Sequence, residues 1–165
     1  MTLAVHAIIG AAAAHRLGLH NPMALFLVGA ATHYIADAIP HWDYGFLSFP
    51  HGEKAETRRW PFTSAAFRKD LVRIACDGAL GAGLILFVAK TLSWASATPL
   101  LLASFGGMAP DLLQGIYFTG YAPFLAPLQR FHDFCHTEIK LGPYPAIGIP
   151  FQIGIALAAA YFLRF

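Results

Sequence analysis

The chain has 165 residues, a length that suits a single domain. Apolar residues make up 57% of it and aromatic residues 14%, and the mean hydropathy is +0.55. Charged residues make up only 12%, against about 25% in an average soluble domain. This composition argues against both a soluble cytosolic protein and a disordered chain, because too few polar side chains are present to cover a water-exposed globule. A formal net charge of +2 is weak support for a nucleic-acid partner.

The two cysteines and the eight histidines narrow the class further. Cys76 and Cys135 lie in apolar stretches and form neither a disulfide framework nor a Cys-x-x-Cys metal motif. The class that remains is a small integral membrane protein, with residues 1–165 as one helical membrane domain. Eight histidines are unusual in so apolar a chain, and they direct attention to metal chemistry.

The predicted elements are apolar stretches separated by polar turns, without strand-like alternation. The first stretch lacks the basic start of a signal peptide, so we expect it to be a helix of the folded protein. Asn21 and Pro22 favour a helix start, and the helix they begin stops at Pro40. Helices are predicted over residues 2–18, 23–39, 70–90, 98–120 and 146–162, with polar loops over 41–69 and 121–145 and a short helix at 125–139.

Two of these helices carry small residues at particular places. In the fourth stretch, Gly106, Gly107 and Pro110 predict a break or kink. The third helix has a face of small residues that lets a neighbouring helix approach closely, made of Ala75, Gly78, Ala79 and Ala82. The fold we expect is an all-α, integral membrane bundle of about five helices.

The distribution of basic residues predicts how the bundle is oriented. The two long loops hold seven lysines and arginines, whereas the opposite ends of the helices hold three. The positive-inside rule then places the N-terminus and both loops in the cytoplasm, in a multi-pass protein of the inner (cytoplasmic) membrane. Arg58, Arg59 and Trp60 are expected to anchor the first loop at the lipid headgroups.

Three carboxylates, Asp37, Asp77 and Asp111, fall inside predicted spans. Together they would cost about 10 kcal/mol if charged at the bilayer centre, which is comparable to the stability of a whole domain. A bound cation is the simplest group that could offset this cost. The predicted orientation brings these carboxylates and most of the histidines to the cytoplasmic face, near a common buried cluster.

Two pairs stand four residues apart, His33 with Asp37 and His132 with His136. This spacing puts each pair on one helix face, where both side chains can bind one cation. Imidazole and carboxylate suit zinc or another first-row divalent ion. We predict that one to three divalent ions, zinc above all, are bound by seven ligands: His6, His33, Asp37, Asp77, Asp111, His132 and His136. Pro40 turns His41 and Asp43 away from the first pair, and these two are the predicted catalytic residues.

Ordinary structural explanations stay open for each candidate. They are a packed imidazole at His6, a hydrogen-bonded pair at His33 and Asp37, a turn-ending role for Asp43, an ion pair of Asp77 with Arg73, a first-turn position for Asp111, and interfacial positions for His132 and His136. His15, His20 and His51 have no acidic partner at helical spacing, and we interpret them as surface residues.

Short motifs add a resemblance to a known family. His6 lies in an opening helix, Pro40-His41-Trp42-Asp43 follows the second helix, and Gly107-Met-Ala-Pro-Asp111 lies in the fourth. In outline these elements resemble the membrane-bound metal-dependent hydrolase family, which includes LexA-binding inner-membrane hydrolases. The order His33, Asp37, Pro40, His41 is more distantly similar to the zinc-dependent phospholipase C and single-strand nuclease superfamily. The resemblance implies a helical membrane protein with metal-dependent hydrolase activity.

The first functional hypothesis is therefore a metal-dependent phosphoester hydrolase at the cytoplasmic membrane surface. Two divalent ions, bridged by a carboxylate such as Asp37 or Asp111, would activate a water. His41 or Asp43 would serve as general base or as the acid for the leaving group. The expected partners are membrane lipid and a small-molecule or lipid-linked phosphoester, with no nucleic acid, and a homodimer stays open.

The second hypothesis is a non-catalytic membrane protein. The same ligands could form a closed structural metal site, or a path for metal ions or protons through the bundle. A scaffold whose polar residues pair with one another is a third interpretation.

Overall fold

The computed structural model describes residues 1–50 and 54–164, and for Trp94 only the backbone. Within these ranges the chain forms six α-helices and no β-strand, which confirms the all-α prediction. The helices are α1 Leu3–Arg16, α2 Pro22–Asp37, α3 Ala65–Leu92, α4 Ala97–Tyr117, α5 Ala126–Cys135 and α6 Pro145–Arg164.

Local capping sets the start of two helices. The side chain of Asn21 accepts a hydrogen bond from the Ala24 amide at 3.1 Å, and Pro22 occupies the first helical position, so the predicted start of α2 is confirmed. The Ser64 hydroxyl likewise accepts from the Phe67 amide at 3.0 Å. This cap starts α3 at Ala65, earlier than the predicted residue 70.

Helix α1 lies at the centre of the molecule. Ten of its 14 residues are buried, and it packs against α2, α3, α4 and α6. Helices α1 and α2 have 14 and 16 residues, fewer than the roughly 20 that a spanning helix needs. By length and composition, α3 and α6 are the two helices in the described ranges that could cross a membrane, and few residues of their most apolar stretches are buried.

Helix α4 runs without interruption from Ala97 to Tyr117 with Pro110 inside it, so of the predicted break or kink the break is wrong. The glycines before Pro110 serve helix packing instead. A Cβ on Gly106 would overlap the Phe26 carbonyl of α2, and one on Gly107 would lie 2.5 Å from the His6 carbonyl oxygen of α1. Packing against two neighbouring helices therefore holds α4 helical where local propensity alone would end it.

Between α2 and α3 the described residues 38–50 and 54–64 form no α-helix and include a 3-10 turn at Ala55–Thr57. Trp60 is only 9% exposed and packs against Phe49 and Phe118. The Trp60 indole N–H donates to the Gly115 carbonyl at 2.8 Å. Trp60 is therefore part of an aromatic core beside α4, and its predicted role as an interfacial anchor is wrong.

Candidate metal centre

The ends of α2 and α5 meet the N-terminal part of α1 and the middle of α4 at one place. Two groups of side chains there each offer ligand atoms that all lie within 4.8 Å of one another. The first group is His33, Asp37, Asp111 and His132, and the second is Asp37, His41 and His136. Asp37 belongs to both groups.

The Asp37 carboxylate is the centre of the arrangement and is 1% exposed. Its Oδ2 lies 3.1 Å from Nε2 of His33 and 3.1 Å from Nε2 of His132. Its Oδ1 lies 3.1 Å from Nε2 of His6 and 3.6 Å from Nε2 of His41. Each oxygen of one carboxylate therefore faces two imidazoles, which is the geometry of a bridging group.

The far side of two imidazoles is held by backbone carbonyls. Nδ1 of His33 lies 2.9 Å from the Gly107 carbonyl oxygen, and Nδ1 of His41 lies 2.7 Å from that of Ile39. When the N–H at Nδ1 donates to a carbonyl, the lone pair of the ring is on Nε2. A backbone carbonyl is a common outer hydrogen-bond partner of a metal-binding histidine. The Gln114 side-chain amide contacts Nδ1 of His132 through its nitrogen at 3.0 Å and orients that ring; rotation of the amide by 180° offers its oxygen to an Nδ1–H and leaves the lone pair on Nε2.

The first group has the spacing that a tetrahedral ion requires. Nε2 of His33 and Nε2 of His132 are 3.1 Å apart, so with Asp37 Oδ2 they form a triangle with 3.1 Å edges. An ion bound at about 2.0–2.1 Å in tetrahedral geometry separates its ligands by about 3.3 Å. Oδ1 of Asp111 lies 3.8 and 3.7 Å from the two nitrogens, within reach of the same ion.

The second group is extended by Asp43. Its Oδ2 lies 3.2 Å from Nε2 of His41 and 3.8 Å from Nε2 of His136. The terminal ammonium of Met1 lies 2.9 Å from both Asp37 Oδ1 and Asp43 Oδ1, which shows that these two carboxylates can share one cation. Nε2 of His41 is buried and, within the described ranges, makes no hydrogen bond. A metal ion would satisfy such an atom.

The protonation states around this second group suit metal ligation. Burial lowers the pKa of His136 to about 4, and the Lys140 ammonium acts in the same direction. Burial alone would raise the pKa of Asp43, but the His41 imidazole and the Met1 ammonium outweigh it and hold this pKa below its ordinary value. At neutral pH the imidazole of His136 is therefore neutral, as a ligand must be, and Asp43 is ionised, as a ligand or a general base must be.

Backbone pairing between two distant loops brings the ligands together. The Thr137 amide donates to the Asp37 carbonyl at 2.8 Å, and the Leu141 amide donates to the His41 carbonyl at 3.1 Å. These bonds fasten the chain after α5 onto the chain after α2. As a result the His41 and His136 rings lie 4.7 Å apart, although 95 positions separate them in the sequence.

Asp77 lies outside both groups in the part of the chain that the structure describes. Its carboxylate accepts hydrogen bonds from the amides of Leu3 at 2.6 Å and Ala4 at 3.2 Å, and from the Tyr44 hydroxyl at 3.1 Å. The structure therefore gives this predicted ligand the role of a cap on α1, where the helix dipole favours a carboxylate. Arg73 approaches Asp70, at 3.9 Å.

The remaining predicted residues are placed as follows. His6 is 1% exposed, and its ring stacks on that of His33 at 3.9 Å, so it borders both groups through Asp37. His15 and His20 are exposed, and His51 lies outside the described residues. Sequence reasoning missed Gln114 and Lys140, because an amide and an ammonium are not metal ligands. Their spacings of three from Asp111 and four from His136 are the signal that could have found them.

A cavity of about 700 Å³ lies beside the two groups. Asp43, Asp111, His132, His136 and Lys140 line its polar end. His33, Asp37 and His41 lie beneath these side chains and are at most 1% exposed. The ligand groups thus have a buried side that fixes them and an open side that a small molecule can reach.

No protein-family model, no curated protein and no solved structure matches this chain. Buried His and Asp groups that could hold a metal ion are therefore established by the geometry of this chain alone.

Proposed function

We propose that this protein is a metal-dependent hydrolase of phosphoester bonds that works at a membrane surface. The observation that carries the proposal is the bridging position of Asp37 between two groups of ligands that open onto one cavity. A catalytic ion needs such an open position, whereas a purely structural ion is enclosed by protein ligands. Imidazole and carboxylate donors favour zinc, with two ions as the expected number.

Divalent ions held by such ligands lower the pKa of a water towards neutrality and stabilise charge on the oxygens of a phosphoester. Asp37 faces imidazoles of both groups and so fixes the position of one group relative to the other. Asp43 is ionised and lines the cavity, so we assign to it the hydrogen bond that orients the attacking water. Lys140 lines the same end and supplies a positive charge for the phosphate.

The test combines metal analysis with hydrolysis. Purified protein is loaded with zinc, its metal content is measured by mass spectrometry, and a panel of phosphomonoesters and phosphodiesters is assayed. His33→Gln is expected to lower both metal content and hydrolysis, while His20→Gln, an exposed histidine outside the groups, changes neither. Bound metal without hydrolysis of any ester would refute the enzyme and favour a structural metal site.

We further propose that the chain is a multi-pass protein of the inner membrane with this site facing the cytoplasm. Support comes from the two helices α3 and α6, which are long and apolar enough to span, and from the seven basic residues within positions 41–69 and 121–145. The test is extraction of isolated membranes with alkaline carbonate, which removes peripheral proteins. Release of the protein into the soluble fraction would contradict this proposal.

A further inference from the structure

The cavity has a second, apolar end. Three residues of α3 line it, Phe67, Leu71 and Ile74, and their spacing of four and three puts them on one helix face. Leu112 and Ile116 of α4 line the opposite wall, one helical turn apart. The cavity is therefore polar at the ligand groups and apolar between α3 and α4.

The apolar face of α3 continues directly to the polar end. Asp77 follows Ile74 on the same face, and it binds the Tyr44 hydroxyl and the first amides of α1 next to the ligand groups. From Asp77 back to Phe67 the helix runs ten residues, which corresponds to about 15 Å. A molecule with a charged end at the ligand groups would thus have an apolar wall of this length beside it.

The rear of the apolar end is fixed by the aromatic core. Trp60 and Phe118 both line the cavity, and they are 9% and 0% exposed. The indole hydrogen bond of Trp60 to Gly115 holds this surface in place. By contrast, Leu71 on the α3 wall is 53% exposed and Ile116 on the α4 wall is 48% exposed. The apolar end is thus a preformed surface with accessible apolar walls, in a cavity of a size typical of ligand sites.

We infer that this end is a binding subsite for the hydrocarbon chain of an amphiphile whose phosphoester lies at the ligand groups. The inference rests on the proposed function and names the substrate class of that site. A small water-soluble phosphate would leave the walls hydrated, whereas a hydrocarbon chain covers them, and each methylene removed from water raises affinity by roughly fourfold. Lys140 and the ligand groups give charge complementarity to the phosphoester at their end, while Arg58, which also lines the cavity, lies with its guanidinium 5.4 Å from the centre of the Phe49 ring.

The test uses butyl, octyl and dodecyl diesters of 4-nitrophenyl phosphate with the zinc-loaded protein in lipid nanodiscs. In each, water adds its oxygen to phosphorus, the bond from phosphorus to the nitrophenyl oxygen breaks, and 4-nitrophenolate is released. We expect kcat/KM to rise at least about tenfold from the butyl to the dodecyl ester. Equal kcat/KM values along the series would overturn the subsite while the proposed function stands.

Variants of the α3 wall locate the effect. Leu71→Trp fills the apolar end and is expected to lower the dodecyl-to-butyl ratio of kcat/KM about tenfold. Val72→Trp is the matched control, because Val72 is 61% exposed and is not among the residues that line the cavity. Ile74→Ala removes contact from the same wall and is expected to lower the ratio as well. Equal ratios in the Leu71 and Val72 variants would contradict the inference.

A binding measurement separates this inference from the proposed function. Alkylphosphonates, whose phosphorus–carbon bond is not hydrolysed, are titrated into the zinc-loaded protein by calorimetry. Dodecylphosphonate is expected to bind more tightly than butylphosphonate, and less so in Leu71→Trp. That result without cleavage of any ester would refute the hydrolase and leave the subsite supported. Binding that is independent of chain length would refute the subsite whatever the activity.

Discussion

Replacing Asp37 by asparagine tests the shared position of this carboxylate most directly. The change keeps the shape of the side chain and removes one negative charge from a buried group. One end of the new amide is an NH₂ group, which can only donate. Because Oδ1 faces His6 and His41 and Oδ2 faces His33 and His132, either orientation points NH₂ at the Nε2 atoms of one group.

The expected size of the effect follows from this geometry. The group that meets NH₂ loses its ligand altogether, and the other keeps a neutral oxygen in place of an anion. Loss of an outer partner of a metal ligand already costs 10- to 100-fold in affinity as a rough rule. Loss of a direct, charged ligand is therefore expected to weaken binding by at least about 100-fold, or about 2.7 kcal/mol. Zinc content should fall from two ions to at most one.

Zinc titration by calorimetry and elemental analysis of the purified variant measure both quantities. Asp133→Asn is the matched control, since Asp133 lines the same cavity but belongs to neither group. If Asp37→Asn bound as many ions as the parent protein, with affinities within about threefold, the reasoning that Asp37 bridges the groups would be refuted.

Three further predictions concern the surroundings of the site. Asp77→Ala removes three hydrogen bonds that this carboxylate accepts, two of them from the first amides of α1. Thermal unfolding should show a free energy of unfolding lower by about 2–4 kcal/mol. An unchanged zinc content would separate this capping role from metal ligation. Gly29→Ala would push a Cβ into the Ala103 carbonyl and to within 2.8 Å of the Gly107 amide nitrogen. Chemical denaturation should show a free energy of unfolding lower by about 1–3 kcal/mol. Gly83→Ala, with open space at its Cβ, should instead raise it by about 0.5–1 kcal/mol. Chelation of the zinc-loaded protein should lower the Tm by several degrees, because the buried Nε2 of His41 makes no hydrogen bond with any residue that the structure describes. An unchanged Tm would argue against metal at this place.

The parts of the site that could be predicted from the sequence are those that local geometry determines. A spacing of four residues puts His33 and Asp37 on one face of α2 whatever the rest of the chain does. The expectation that Pro40 turns His41 away from this pair is wrong, because Nε2 of His41 lies 3.6 Å from the Asp37 carboxylate. Asn21 likewise predicts the start of α2 at Pro22, because its side chain caps the helix.

Long-range packing decided the rest. In sequence, Asp77 has the pattern of an intramembrane ligand, yet its carboxylate accepts from the first amides of α1. No residue near it in the sequence predicts that contact. Gly106 and Gly107 look like helix breakers, but they provide the close approach of α4 to two other helices. The carbonyl that orients His33 belongs to Gly107, 74 positions away, and no side chain marks it.

The glycines at the crossing of α1, α2 and α4 also limit which parts of the molecule can rearrange. Backbone lies directly on backbone at Gly10, Gly29 and Gly107, so no flexible side chains are present there to absorb a relative shift. His6, His33 and Asp111 belong to these three helices, so the distances between them are fixed by the same packing. Widening of the entrance to admit a larger substrate then has to come from the other walls, by outward movement of α5 or of residues 54–64 before α3.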